Sequence, residues 1–194
     1  MFINMFTLVK LILADVRHIC HTSSTRQGAV GISFVPQCED AMHWIGVDTL
    51  DVMVNYIYPI WPRQDTILDD DAKIYGDAAS VVMKKIASAR IVLTKMQTEG
   101  IEPKTHLDYS SANLPEKMVS RTGFTKEKGG IAFPIYRRGL NNEGKIAPFM
   151  TIYVAVATGA SEDIDDRAAW EAVESICRCI VLEEELVVAH CCTI

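Results

Sequence analysis

The sequence predicts an α+β fold in which antiparallel strand pairs are layered against helices. Three observations carry this. A helical period of apolar residues opens the chain, two pairs of short apolar runs are joined by turn chemistry, and a long seam of apolar residues at steps of four and three separates the pairs.

The first helix is read over Phe6 to Cys20, where Phe6, Val9, Leu13, Val16 and Cys20 recur at steps of three and four. The polar stretch "HTSSTRQG" ends it and leads into "AVGISFV", a β-branched run from Ala29 to Val35 stopped by Pro36. After "PQCED", the run Met42 to Val47 reads as a second strand, and so short a connection predicts a hairpin. The next stretch, "DTLDVMVNYIYPIWPRQDTILD", is apolar, aromatic and broken by Pro59 and Pro62, and its periodicity does not choose between strand, short helix and partner-facing arm.

The clearest element follows. Tyr75, Ala79, Val82, Ile86, Ala89, Leu93 and Met96 form a continuous seam, with Asp69 to Asp71 at its start, Lys95 near its end and Gly100 beyond it. Acid at the beginning, base in the last turn and a glycine stop all suit the helix dipole and its caps. Residues 101–129 hold two prolines and little periodicity, which reads as a lid, a binding loop or an element whose pattern is not recognised. Then "IAFPIY" and "IAPFMTIYVAVAT", separated by Asn141-Asn142 and Gly144, predict a second antiparallel pair with Pro148 near the start of its strand. A last helix begins near Ser161 as its cap and places Ala169, Val173, Ile176 and Ile180 on one face.

Composition narrows the function classes. The 194 residues suit a single domain, 1–194, with an insertion at 48–70, and can bury a full core. A net charge of −6 offers no general attraction for phosphate backbones or anionic lipid, so neither nucleic acid nor membrane is an expected partner. The opening apolar run is short for a membrane span, is interrupted by Lys10 and shows no cleavage site, so it is read as part of the folded domain. The six cysteines lack zinc-type CxxC spacing, and reduced thiols in a cytoplasmic protein are the expectation.

Several polar groups are candidates for chemistry. Gly129-Gly130 stands at the mouth of a strand, where bare backbone lets a ligand lie close or simply turns the chain. His18 and His21, three apart on one helix face beside Cys20, could reach one metal, and His43 is a further candidate axial ligand. Without a third ligand such a pair reads more simply as two exposed histidines. "HLDYSS" holds His106, Asp108, Ser110 and Ser111, but no GxSxG elbow is present to hold a nucleophile. "ATGASEDIDD" sets a helix start after a strand, and its four carboxylates read as a self-capped end that would repel a phosphate. Cys177 and Cys179 fall on nearly opposite sides of a helix. The chain has no P-loop, GxGxxG, HExxH or EF-hand pattern.

Three stretches carry a family resemblance: "VGISFVPQCEDAMHWIGVD", "MKKIASA", and the ending "GGIAFPIYRRGLNNEGKIAPFMTIYVAVATGASEDIDDRAAWEAV". Together they resemble the GlcG-like family, which includes haem-binding HbpS proteins and the C-terminal domain of PduO corrinoid adenosyltransferases. The ending is the most specific part, with Gly129-Gly130, Pro134-Ile135, Gly144, Thr158-Gly159-Ala160 and Asp165-Asp166 in order. Three departures stand beside it. Gln37-Cys38-Glu39-Asp40 replaces a glycine pair in the first hairpin, two extra residues separate Gly130 from Pro134, and the 48–70 insert has no counterpart.

The resemblance implies a five-stranded antiparallel sheet flanked by helices, profilin-like in its α-β-α layers, and a homo-oligomer. It also implies a small ligand, haem or another tetrapyrrole, held near Gly129 and Gly130, with Ile131 and Phe133 of the following strand and His106 of the loop as candidate neighbours. No metal ligand carries over residue by residue. Two other readings stay open: an enzyme acting on a small metabolite with the 101–129 loop as lid, and an assembly module without a ligand.

Overall fold

The computed structural model describes residues 5–22, 27–60, 69–99, 130–137, 147–159, 164–172, 186–188 and 192–193. Its elements are α1 (Met5–Thr22), β1 (Ala29–Pro36), α2 (Glu39–Ile45), β2 (Val54–Pro59), α3 (Asp69–Thr98), β3 (Gly130–Arg137), β4 (Ala147–Ala157), β5 (Leu186–Val188) and β6 (Cys192–Thr193). Residues 164–172 are also helical. The fold is α+β, as expected. The strands lie in the order β2-β1-β4-β3-β5, with β6 also paired to β3, and every pairing is antiparallel.

β1 and β4 form the centre of the sheet, and alternation along them sorts two cores. Val30, Ile32 and Phe34 of β1, with Ile152, Val154 and Val156 of β4, pack with Leu8, Ile12 and Val16 of α1 and with Ala168, Ala169 and Ala172. Ala29 and Val35 of β1, Ala132 of β3, and Tyr153, Ala155 and Ala157 of β4 pack with Val82, Ile86, Ala89 and Leu93 of α3. The sheet is therefore covered on both faces. Each fully buried isoleucine in these cores contributes about 1.5–3 kcal/mol relative to an exposed one. The second core is lined on its sheet side largely by alanine, and Gly31 continues that floor. A Cβ on Gly31 would collide with Val82 Cγ1 and stand 3.0 Å from Ile86 Cδ1, so the absence of a side chain there sets how closely α3 approaches.

The α3 seam agrees with its reading: Val82, Ile86, Ala89 and Leu93 are buried, and Tyr75 and Ala79 pack against them half-buried. Pro148 is exposed near the start of β4, where an irregular register between Ile135 and Tyr136 accommodates it.

Three local expectations are corrected. Met42 to Val47 is not a strand, because residues 39–45 form α2. Glu39 and Asp40 supply negative charge to its first turn, and Gly46 closes it in the left-handed region at φ 79°, donating its N–H to Met42 O at 2.8 Å. The hairpin partner of β1 comes instead from within the 48–70 insert, as β2, with Pro59 at the strand end where a lost N–H is tolerated. Phe6 is 68 % exposed, while Val9, Leu13, Val16 and Cys20 are buried as read, together with Met5, Leu8, Ile12 and Ile19.

The 101–129 loop with His106, Asp108, Ser110 and Ser111, and likewise Gly129, the Asn141-Asn142 turn, Ser161, Val173, Ile176, Cys177, Cys179 and Ile180, lie outside the described residues. Among the described residues no helix is long and apolar enough to cross a membrane.

Candidate functional site

At the end of β4 the main chain leaves the sheet through Thr158 and Gly159, whose φ is 70°, and the next described element is the 164–172 helix. Here the structure concentrates its buried charge. Lys85, from the middle of α3, donates from Nζ to Val156 O at 2.7 Å and to Asp165 Oδ2 at 3.1 Å. The other carboxylate oxygen, Asp165 Oδ1, accepts from Thr158 Oγ1 at 2.6 Å and from the Thr158 backbone N–H at 3.1 Å. The lysine and aspartate side chains are only 5 % and 9 % exposed. Burial on that scale is tolerated because the charges pair and their oxygens are met by additional donors. The cluster ties α3, the last residues of β4 and the start of the following helix into one unit.

Cys20, at the end of α1, is buried close to the same carboxylate. Removal from water, and secondarily the Asp165 charge, push its thiol up to about 12 from 9.0. The thiol stays protonated at neutral pH, so it offers neither a nucleophile nor a thiolate ligand. Cys20 is therefore expected to resist maleimide or iodoacetamide labelling at pH 8 in the folded protein and to react after urea unfolding, read by peptide mass mapping. Native labelling as fast as in urea would contradict its burial. The shift also sets a sign for stability: the folded state favours the protonated thiol. This contribution is intact below pH 9 and is lost as the pH rises from 9 towards 12.

The candidate residues read from sequence separate into two groups. Gly130 opens β3 beside Ala155 of β4 and is buried; Ile131 and Phe133 follow it in the strand, paired in register with Val154 and Ile152. Gly130 lies at the same end of the sheet as Thr158, because its register partner Ala155 stands three residues before Thr158, which lies just past the end of β4. His18 and His21 are exposed at the end of α1, and His43 is exposed on α2. No group of three or more His, Cys, Asp or Glu side chains able to hold a metal ion occurs among the described residues. The three histidines stand on helices, and none of them is on a strand next to Gly130.

Lys85, Thr158 and Asp165 were not singled out from the sequence as a cluster. A signal for the lysine was present. It stands three residues after Val82 and four before Ala89, inside the apolar arc of α3, where a charge needs a partner. The sequence presents Asp165 as one of four carboxylates at a self-capped helix start, whereas it serves the strand end and α3.

No protein-family model, curated protein or solved structure matches this chain.

Proposed function

We propose that the chain is a small-ligand-binding, oligomeric domain of the GlcG/HbpS-like kind, holding its ligand against the main chain where β3 begins. The observation that carries the reading is the position of Gly130: it starts β3 without a side chain, opposite Ala155 of β4, whose chain reaches Thr158 of the buried Lys85–Asp165–Thr158 cluster three residues later. Gly130 is itself buried and Ala132, Ala155 and Ala157 pack against α3, so a ligand would lie against bare backbone only where β3 begins, with the adjoining cluster holding that backbone in place.

Two further features support it. Lys85 belongs to "MKKIASA", Thr158 to "TGA" and Asp165 to "DIDD", so segments that carry the resemblance meet in one place. The strand order β2-β1-β4-β3-β5 between helices suits the five-stranded, profilin-like sheet of that family, with β6 as an added short pairing on β3. The polar cluster is consumed by its own internal bonds, which favours a binding role over acid–base catalysis.

Haemin and metal-free protoporphyrin IX are the probes, because a tetrapyrrole is what the resemblance implies. Haemin is expected to give a saturable Soret shift, and either probe is expected to slow amide exchange along β3 and in the facing part of β4. Loss of the haemin shift in His106→Ala, with protoporphyrin binding kept, would assign the iron ligand. The absence of both a saturable spectrum and any change in β3 exchange would remove the ligand reading. Sedimentation as a monomer at micromolar concentration would remove the oligomer.

A further inference from the structure

Among the described strands β2 is one edge of the sheet, at the opposite end from β5, and its sequence Val54–Pro59 carries no charge. It pairs with β1 in unbroken register from Ala29↔Pro59 to Phe34↔Val54, so no bulge twists its outer edge away. An uncharged, regular edge is a template for another strand, and proteins ordinarily guard such edges.

The hydrogen bonds around β2 show which groups face outward. Ile60 donates its N–H to Gly28 O on the β1 side at 3.1 Å. Backbone direction alternates along a strand, so the odd residues Asn55, Ile57 and Pro59 aim their N–H and C=O groups away from β1. Two of those three outward carbonyls are already taken by side chains. Tyr75 of α3 donates its hydroxyl to Ile57 O at 3.2 Å, and Arg17 of α1 donates Nη2 to Pro59 O at 3.0 Å. Pro59 has no N–H to offer. Arg17 holds this position although its Nε is buried without a partner among the described residues.

We infer that Arg17 and Tyr75 close the β2 edge, one from each helical layer, and thereby prevent β2 from pairing with β2 of a second copy of this chain. A second copy is the occupant that the edge suits. Under a two-fold axis, Val54–Pro59 would meet itself antiparallel with no like charges opposed. Any oligomer of the native protein then forms through other surfaces. The closure is independent of a ligand at β3.

The test is the double variant Arg17→Met/Tyr75→Phe, which keeps both side-chain bodies and removes both donors. By sedimentation velocity it is expected to gain mass with rising concentration beyond the wild type's own state, towards a doubling. In hydrogen exchange, the Asn55 and Ile57 amides are expected to become protected as that mass rises, while in the wild type they exchange at a concentration-independent rate. A sedimentation profile identical to wild type at all concentrations would overturn the inference. Association that leaves the Asn55 and Ile57 amides unprotected would also overturn it. If the double variant does not fold, Tyr75→Phe alone, which deletes a single oxygen, is read by the same amide experiment. Unchanged exchange at Ile57 across concentration then counts against the closure.

Discussion

Replacing Lys85 with methionine is expected to destabilise the native state by about 3–5 kcal/mol, the cost of breaking one side of a buried ion pair. Methionine keeps most of the lysine stem, so the loss is electrostatic rather than a cavity. It leaves the Asp165 carboxylate with Thr158 as its remaining donor among the described residues and leaves Val156 O without the ammonium. Asp165→Asn is expected to fall in the same range, because it strands the ammonium between a carbonyl and a neutral amide. Urea unfolding followed by circular dichroism reads both. The decisive measurement is the pair together: Lys85→Met/Asp165→Asn should cost clearly less than the sum of the single changes, since neither variant then buries an unmatched charge. Strict additivity would mean that the two groups do not stabilise each other and that α3 is held to the end of β4 by its apolar seam alone.

How much of this was legible beforehand depended on whether a residue's role was set by its neighbours in sequence. The α3 seam was readable because Val82, Ile86, Ala89 and Leu93 are buried by a period that the chain itself displays. β1 and β4 were readable from β-branched runs bounded by turn residues. Met42 to Val47 misled because Met42 and Trp44 imitate a two-residue period. The stronger signals were the acids at 39 and 40 and the glycine at 46, which bracket a single short helix. β2 stayed ambiguous because Pro59 argues against a central strand, and only the sheet order shows that the strand lies on the edge, where proline is permitted. Phe6 was assigned to the buried face by spacing, yet Met5 and Leu8 satisfy the same period one residue away. Gly130 stands out in the sequence because glycine is conspicuous there. Lys85 and Asp165 were not paired, because eighty residues separate them and only the packing of α3 over β4 brings them together.

Gly31→Ala is expected to cost about 1–3 kcal/mol, as overpacking does in a filled core. Nothing about the backbone forbids alanine there, so the cost arises where α3 crosses the sheet. The new Cβ would fall inside the contact distance of Val82 Cγ1 and press on Ile86 Cδ1, and Val82 is β-branched with little rotamer freedom in a helix. Relief then requires α3 to lift, and lifting α3 draws Lys85 away from Asp165 and Val156, because all three contacts share one helix. The mechanism has a signature beyond the loss itself. In the Gly31→Ala background, Val82→Ala should cost less than it does in the wild type, since removing Cγ1 makes room for the added methyl group. Urea midpoints for the four proteins of that cycle give the coupling directly. If the two substitutions simply add, α3 does not rest on position 31, and the close approach attributed to the glycine and alanine floor is not what seats the helix.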